Sequence, residues 1–193
     1  MELKGKKVFV GGLGISGVAL CNVLVDLGAK VVAYDKKDET ALKEVLEKLQ
    51  DLPLEIKLGD FKEEFLKGID LVILSPGISL DSEIVKKAKE MGLQIIGEVE
   101  FAYRLSKAPI YAITGTNGKT TTTSLVGEMF KNAGRKVYVA GNIGYPLIYA
   151  ALEAKPHDYI VVEVSSFQLE TIKEFRPRIS CITNITPDHL DRH

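Results

Sequence analysis

The sequence predicts an α/β protein built of two successive units: an N-terminal Rossmann-like parallel-sheet domain, then the first part of a P-loop-type α/β domain. Three observations predict it. Short apolar runs rich in Val and Ile alternate with longer amphipathic stretches, as a parallel sheet covered by helices requires. Two glycine-rich turns each join such a run to a helix. Near Gly97 the first alternation closes and a new one begins, which sets the domains at 1–97 and 98–193.

In order along the chain, the first strand reads as Lys7–Val10 and runs through Gly12-Leu13-Gly14-Ile15-Ser16-Gly17 into an apolar helix. Further strands fall at Lys30–Tyr34, Glu55–Leu58, Leu71–Leu74 and Gln94–Ile96. Between them, Thr40–Leu49 and Ser82–Met91 space their apolar residues three or four apart, as helices lying on a sheet do. Glu98–Ser106 reads as a short helix. Pro109 then introduces the strand Ile110–Thr114, a second glycine-rich turn, and a helix from about Lys119 to Ala133. The remaining strands are predicted at Lys136–Val139, Tyr159–Val164 and Ile179–Thr183, with a helix at Ser166–Phe175. Asn184–His193 is polar and lacks a closing element, so the second unit is expected to be cut short.

A chain of 193 residues with 46% hydrophobic content can bury a substantial core. With 25 Lys plus Arg against 26 Asp plus Glu, the net charge of −1 supplies no overall positive field for nucleic acid or an anionic membrane. Any polyanion must be held by a local site. The opening lacks the features of a secretory signal, and no apolar run approaches membrane-spanning length. Cys21 and Cys181 lie far apart in apolar segments, which suits neither a disulfide framework nor a metal cluster. Both are expected to be buried packing residues, in a reducing cytoplasm. Lys86, Lys87 and Lys89 read as a solvated helix face and His157 as a loop residue.

The first turn has the GxGxxG arrangement between a strand and a helix. Its glycines let backbone approach a ligand, and the helix N-terminus offers N–H groups to a pyrophosphate. Asp35, at the end of the second strand, can accept ribose or base hydrogen bonds. A dinucleotide-dependent dehydrogenase would show the same features, and the glycines would also serve tight strand-to-helix packing. The second turn, Ile113-Thr114-Gly115-Thr116-Asn117-Gly118-Lys119-Thr120-Thr121, decides against a dehydrogenase. It reads as a phosphate-binding loop in which backbone N–H groups wrap ATP phosphates, Lys119 neutralises the β and γ oxygens, and the Thr120 hydroxyl reaches Mg2+. Glu163 ends an apolar strand, where an unpaired carboxylate is costly, so a metal or a salt-bridge partner is expected.

The loop departs from the general GxxxxGK[ST] pattern, because position 113 is Ile. Its shorter GTNGKTT form resembles that of the Mur ligases and the folylpolyglutamate synthases. Three later segments resemble the D-glutamate-adding members of the Mur ligase family: Ala140-Gly141-Asn142-Ile143-Gly144, Glu163-Val164-Ser165-Ser166-Phe167-Gln168-Leu169-Glu170, and Asn184-Ile185-Thr186-Pro187-Asp188-His189-Leu190-Asp191-Arg192-His193. Ser75-Pro76-Gly77-Ile78-Ser79 and Gly97-Glu98-Val99-Glu100 agree, so the resemblance covers the whole chain.

That resemblance implies an ATP-dependent ligase of peptidoglycan synthesis that joins D-glutamate to UDP-N-acetylmuramoyl-L-alanine through an acyl phosphate, with ATP and Mg2+ and as a monomer at full length. Domain 1–97 would bind UDP and domain 98–193 ATP. The ATP site would comprise Gly115, Thr116, Asn117, Gly118, Lys119, Thr120 and Thr121. Thr120, Glu163 and His189 would hold metal, with His189 at a second metal or beside the reacting carboxylate. Lys119, His189 and Asn142 would act in catalysis. Asn142 and Ser165 would orient substrate or metal-bound oxygens, and Gln168 would contact the sugar; turn capping is the other reading of Asn142, Ser165 and Gln168. Gly14, Ile15, Ser16, Gly17 and Gly77 would approach the UDP phosphates, Asp35 the uridine, and Lys37 would add charge. Lys36 stands where the family often has a hydroxyl residue. An L-alanine-adding Mur ligase or a folylpolyglutamate synthase shares the loop. A nucleotide-binding module without turnover is the reading from another class, and is expected of the chain by itself.

Overall fold

The computed structural model describes residues 1–142 and 145–187, in two compact units, Met1–Glu98 and Val99–His193. The first contains β1 (Lys7–Gly11), α1 (Ile15–Asp26), β2 (Lys30–Asp35), α2 (Lys43–Leu49), β3 (Leu54–Leu58), a single 3-10 turn at Glu63–Leu66, β4 (Leu71–Leu74), α3 (Glu83–Glu90) and β5 (Gln94–Gly97). Its five strands are parallel in the order β3-β2-β1-β4-β5. β4 is Leu-Val-Ile-Leu with every residue buried, the uninterrupted apolar run of a strand covered on both faces. Phe9 stacks on Tyr34 with centroids 5.8 Å apart, and the Tyr34 hydroxyl donates to the Gly59 carbonyl at 2.9 Å. Ile84, Val85 and Ala88 form the buried face of α3. On its other face Lys86 and Lys89 are exposed, while Lys87 reaches Glu63 and Glu90, a solvated arrangement as expected.

The second unit takes up α4 (Glu98–Leu105), which begins at the boundary, followed by β6 (Ile110–Thr114), α5 (Lys119–Asn132), β7 (Val137–Gly141), α6 (Leu147–Glu153), β8 (Tyr159–Glu163), α7 (Ser166–Leu169) and β9 (Ile179–Ile182). Among the described residues its sheet is parallel, in the order β7-β8-β6-β9. Ile160, Val161 and Val162 of β8 are buried, with Leu147, Ile148, Ala150 and Ala151 of α6 also buried. Phe130 of α5 stacks on Tyr159 at 4.4 Å.

Three expectations need correction. Helix α6 was not foreseen. The helix after β8 was expected to reach Phe175 but stops at Leu169. Its continuation is diverted: the N–H groups of Lys173, Glu174 and Phe175 donate to the carboxylate of Glu100 at 2.8, 3.0 and 3.0 Å, and Arg104 Nε adds a fourth donor at 2.6 Å. Glu100 is wholly buried. Burial acts to raise its pKa, but the Lys173 N–H, the Arg104 guanidinium and the other two N–H groups outweigh it and hold the carboxyl below the ordinary glutamate value. The third correction concerns Cys181, which is exposed rather than packed. Among the described residues β9 pairs with β6, and all four of its residues are exposed. Cys21 is buried in α1, and burial pushes its thiol up to about 12.

Candidate functional site

In each sheet the first strand in sequence lies inside the sheet, flanked on both sides by later strands, and each glycine turn sits at the carboxyl end of that strand. In the first unit this is β1, flanked by β2 and β4. Such switch points open a crevice for ligands in parallel sheets. The turn is tied down from three sides. Asp35, ending β2, accepts the Leu13 N–H at 2.8 Å through one carboxylate oxygen and the Lys37 N–H at 3.0 Å through the other. The Gly12 N–H donates to the Tyr34 carbonyl at 2.7 Å. The buried Ser75 hydroxyl, just past β4, donates to the Gly12 carbonyl at 2.7 Å. Gly17 is required by close approach: a Cβ there would run into the Gly12 carbonyl and the Ser75 hydroxyl.

Gly14 caps α1 without a side-chain bond. Among the described residues, the N–H groups of Ile15, Ser16 and Gly17 have no protein partner, so the mouth of the turn presents unpaired donors. Ile15 is exposed, as are Lys36 and Lys37 next to Asp35 and Gly77 on the turn after β4. The structure therefore brings Gly14–Gly17, Asp35 and the Ser75–Gly77 turn to one end of one sheet, with Asp35 already bonded to backbone through both oxygens.

In the second unit the central strand is β6, flanked by β8 and β9. The turn after it leads into α5, where Lys119 is the first residue. Its ammonium donates to the carbonyls of Gly115 at 2.7 Å and Thr116 at 2.9 Å, which fold the side chain back over the loop. Thr120 donates its hydroxyl to Glu163 Oε2 at 2.8 Å, joining the start of α5 to the end of β8. Glu163 is only 4% exposed, and among the described residues no cationic side chain pairs with it. A buried carboxylate with only a hydroxyl for a partner fits a hard cation such as Mg2+, for which both groups supply oxygen ligands. Among the described residues no cluster of three His, Cys, Asp or Glu exists. His189 lies outside the described residues.

Asn142 Nδ2 donates to the Ser165 hydroxyl at 2.6 Å, and its N–H lies 3.4 Å from the Glu163 carbonyl. Ser165 and Gln168 form a reciprocal capping box on α7: the Ser165 N–H donates to Gln168 Oε1 at 2.9 Å. Gln168, expected beside a sugar, is buried, and this oxygen serves the helix cap. A cleft of about 310 Å³ opens between these parts, lined by Thr114, Gly115, Lys119, Ser165, Leu169 and Asn184 among others.

The loop amides are not equivalent. The Thr116 N–H donates to the Asn184 carbonyl at 3.1 Å and the Asn117 N–H to Asn184 Oδ1 at 2.9 Å. Those of Gly118, Lys119, Thr120 and Thr121 have no partner among the described residues. Sequence reasoning assigned no role to Asn184, Thr183 or Ser75; the available signal was a carboxamide or hydroxyl placed immediately after a strand that neighbours a glycine turn.

Comparison with known proteins adds three findings. Residues 6–97 match the profile of the Mur ligase MurD-like N-terminal domain, and residues 113–193 that of the Mur ligase middle domain. Over its whole length the chain is 83% identical to a UDP-N-acetylmuramoylalanine--D-glutamate ligase of Caldanaerobacter subterraneus subsp. tengcongensis, and 53% and 49% identical to those of Alkaliphilus metalliredigens and Clostridioides difficile. In each case it spans 43% of the relative's length. Its fold is similar to the crystal structure of UDP-N-acetylmuramate:L-alanyl-gamma-D-glutamyl-meso-diaminopimelate ligase from Neisseria meningitides, with a TM-score of 0.60 at 20% identity, covering 97% of this chain and 63% of that one.

Proposed function

The chain belongs to the Mur ligase family, and from that premise we propose that it supplies the UDP-sugar site and the core of the ATP site of a ligase that joins D-glutamate to UDP-N-acetylmuramoyl-L-alanine. The observation that carries this reading is the 2.8 Å bond between Thr120, opening the helix of the phosphate loop, and the buried carboxylate of Glu163. A dehydrogenase needs no such pair. An enzyme that moves a phosphoryl group needs a cation beside the phosphates, and these two oxygens lie next to the free amides of Gly118–Thr121.

In this reading the first unit holds the uridine diphosphate, with the amides of Ile15–Gly17 facing the phosphates and the backbone bonds of Asp35 fixing the turn's shape. Lys36 and Lys37 stand exposed beside it. The second unit holds ATP. Thr120 and Glu163 would hold Mg2+, which would supply charge neutralisation at the phosphate oxygens. Lys119, anchored by two carbonyls, adds a second positive group at the β and γ phosphates. Transfer of the γ-phosphoryl group of ATP to the alanyl carboxylate breaks the β–γ bond, releases ADP, and turns an oxygen that an amine cannot displace into a phosphate leaving group. The D-glutamate amine then displaces that phosphate and the amide forms. Asn142, bonded to Ser165, orients oxygens of the substrate at this end of β8. His189 would add a further metal or substrate contact. A reducing cytoplasm, where the nucleotide substrates are made, suits this role.

Calorimetric titration of the purified chain tests the reading. UDP-N-acetylmuramoyl-L-alanine and Mg2+-ADP should each give a saturable signal and NAD none. Tight NAD binding without any response to the UDP-sugar would overturn it.

A further inference from the structure

The segment leaving β9 grips the phosphate loop through a side chain that none of the ligand assignments uses. The Asn184 carboxamide pairs with both backbone groups of a single residue: Oδ1 accepts the Asn117 N–H at 2.9 Å, and Nδ2 donates to the Asn117 carbonyl at 2.8 Å. The Asn184 carbonyl accepts the Thr116 N–H at 3.1 Å. On either side, Thr183 Oγ1 donates to the Asn117 carbonyl at 2.6 Å, and the Thr116 hydroxyl exchanges bonds with the Thr186 carbonyl and N–H at 2.9 and 3.0 Å. Thr116 and Asn117 are thus held by six bonds to three residues roughly seventy positions away.

The chemistry is selective. A carboxamide carries its donor and its acceptor on two separate atoms, so it bonds the N–H and the C=O of Asn117 at once, which an ionised carboxylate, having no donor, cannot do. The loop is also built for this contact. Gly115 has φ of +133°, and a Cβ there would run into the Thr183 hydroxyl and lie 2.9 Å from the Asn184 carbonyl. That glycine admits the strand exit as well as any phosphate. The two amides that are held leave four successive free ones, Gly118 to Thr121, at the start of α5.

We propose that Asn184 is a positioning residue for nucleotide phosphates: by clamping Thr116 and Asn117 it presets the loop so that the amides of Gly118–Thr121 converge on the phosphate before ligand arrives. This rests on the proposed ATP site. Preorganised donors need no reordering on binding, so loosening them weakens affinity without removing a single ligand contact.

Hydrogen exchange and calorimetry on the 193-residue chain test it, with Mg2+-ADP and inorganic pyrophosphate as probes. In the ligand-free protein the Asn117 amide should be protected despite its exposed position. Asn184→Leu, similar in shape but without the amide, should speed that exchange and weaken both probes by about tenfold. UDP-sugar binding in the first unit should not change. Asn184→Gln, which keeps both groups on a longer arm, should restore part of each effect. Thr183→Val removes one bond to the Asn117 carbonyl and serves if the Leu variant misfolds; a loss of severalfold is expected. An unprotected Asn117 amide overturns the clamp, as does wild-type ADP affinity in Asn184→Leu under conditions where Lys119→Ala loses binding. Failure of the unaltered chain to bind Mg2+-ADP would instead sink the proposed ATP site, and exchange at Asn117 would still show whether the clamp exists.

Discussion

The two glycine turns occupy the same place in their sheets and are held in opposite ways. The first is fastened by groups inside or beside a finished core: a buried serine, the carbonyl of a buried tyrosine and a carboxylate at a strand end. The second is fastened by an exposed carboxamide and two threonines beyond a strand whose own side chains face solvent. A turn locked by core groups has its shape settled when the sheet folds. The second turn keeps its shape only while the segment that follows β9 stays seated on it.

The largest expected effect bears on the second turn. In a complete ligase carrying this chain, Lys119→Ala should slow amide formation on the order of 100-fold or more, as loss of a preorganised charge donor does. UDP-sugar affinity should be unchanged, and steady-state kinetics with calorimetry would separate the two. Turnover near normal would mean that another cation does this work. Next comes the first turn. Gly17→Ala forces a Cβ onto the Gly12 carbonyl, and overpacking of this kind costs about 1–3 kcal/mol. Thermal unfolding should register the loss and UDP-sugar binding should weaken while Mg2+-ADP binding holds. An unchanged melting temperature would show that the first turn yields as readily as the second. The smallest effect compares the sheets behind the turns. At mild alkaline pH an alkylating reagent should modify Cys181 and spare Cys21, whose thiol is buried and pushed up to about 12. Two adducts on the native protein by mass spectrometry would mean that the first sheet opens too.

What could be read from the sequence follows the range of the forces involved. Strands such as β4 and β8 were legible because a strand buried on both faces must be an unbroken apolar run. The second glycine turn was legible as a strand–turn–helix junction because Gly115, Gly118 and Lys119 lie within a few residues of one another. The helix expected through Phe175 was misjudged because Glu100, 73 to 75 positions earlier, takes the N–H groups that would have continued it. Cys181 was misjudged because its apolar neighbours record a preference for burial and not whether any element covers β9. Asn184 stood in a recognised segment, yet its task depends on β9 lying in register beside β6, with Ile182 opposite Thr114, which no local pattern encodes. Helix α6 has seven residues, too few to set an apolar period apart from its surroundings.

The buried carboxylate of Glu100 also has a consequence in time. Its partners at Lys173–Phe175 are synthesised long after it, and at about 5–20 residues per second the ribosome delivers them roughly 4–15 s later. Until then a charge that ends fully buried has only Arg104 on its own helix for company, and α4 cannot take its final place without leaving that charge poorly compensated. The first unit is contiguous in sequence and ends at Glu98, ahead of all of these groups. Vectorial synthesis therefore delivers the first unit before the partners of Glu100, which acts as a latch that closes only once Lys173–Phe175 have emerged.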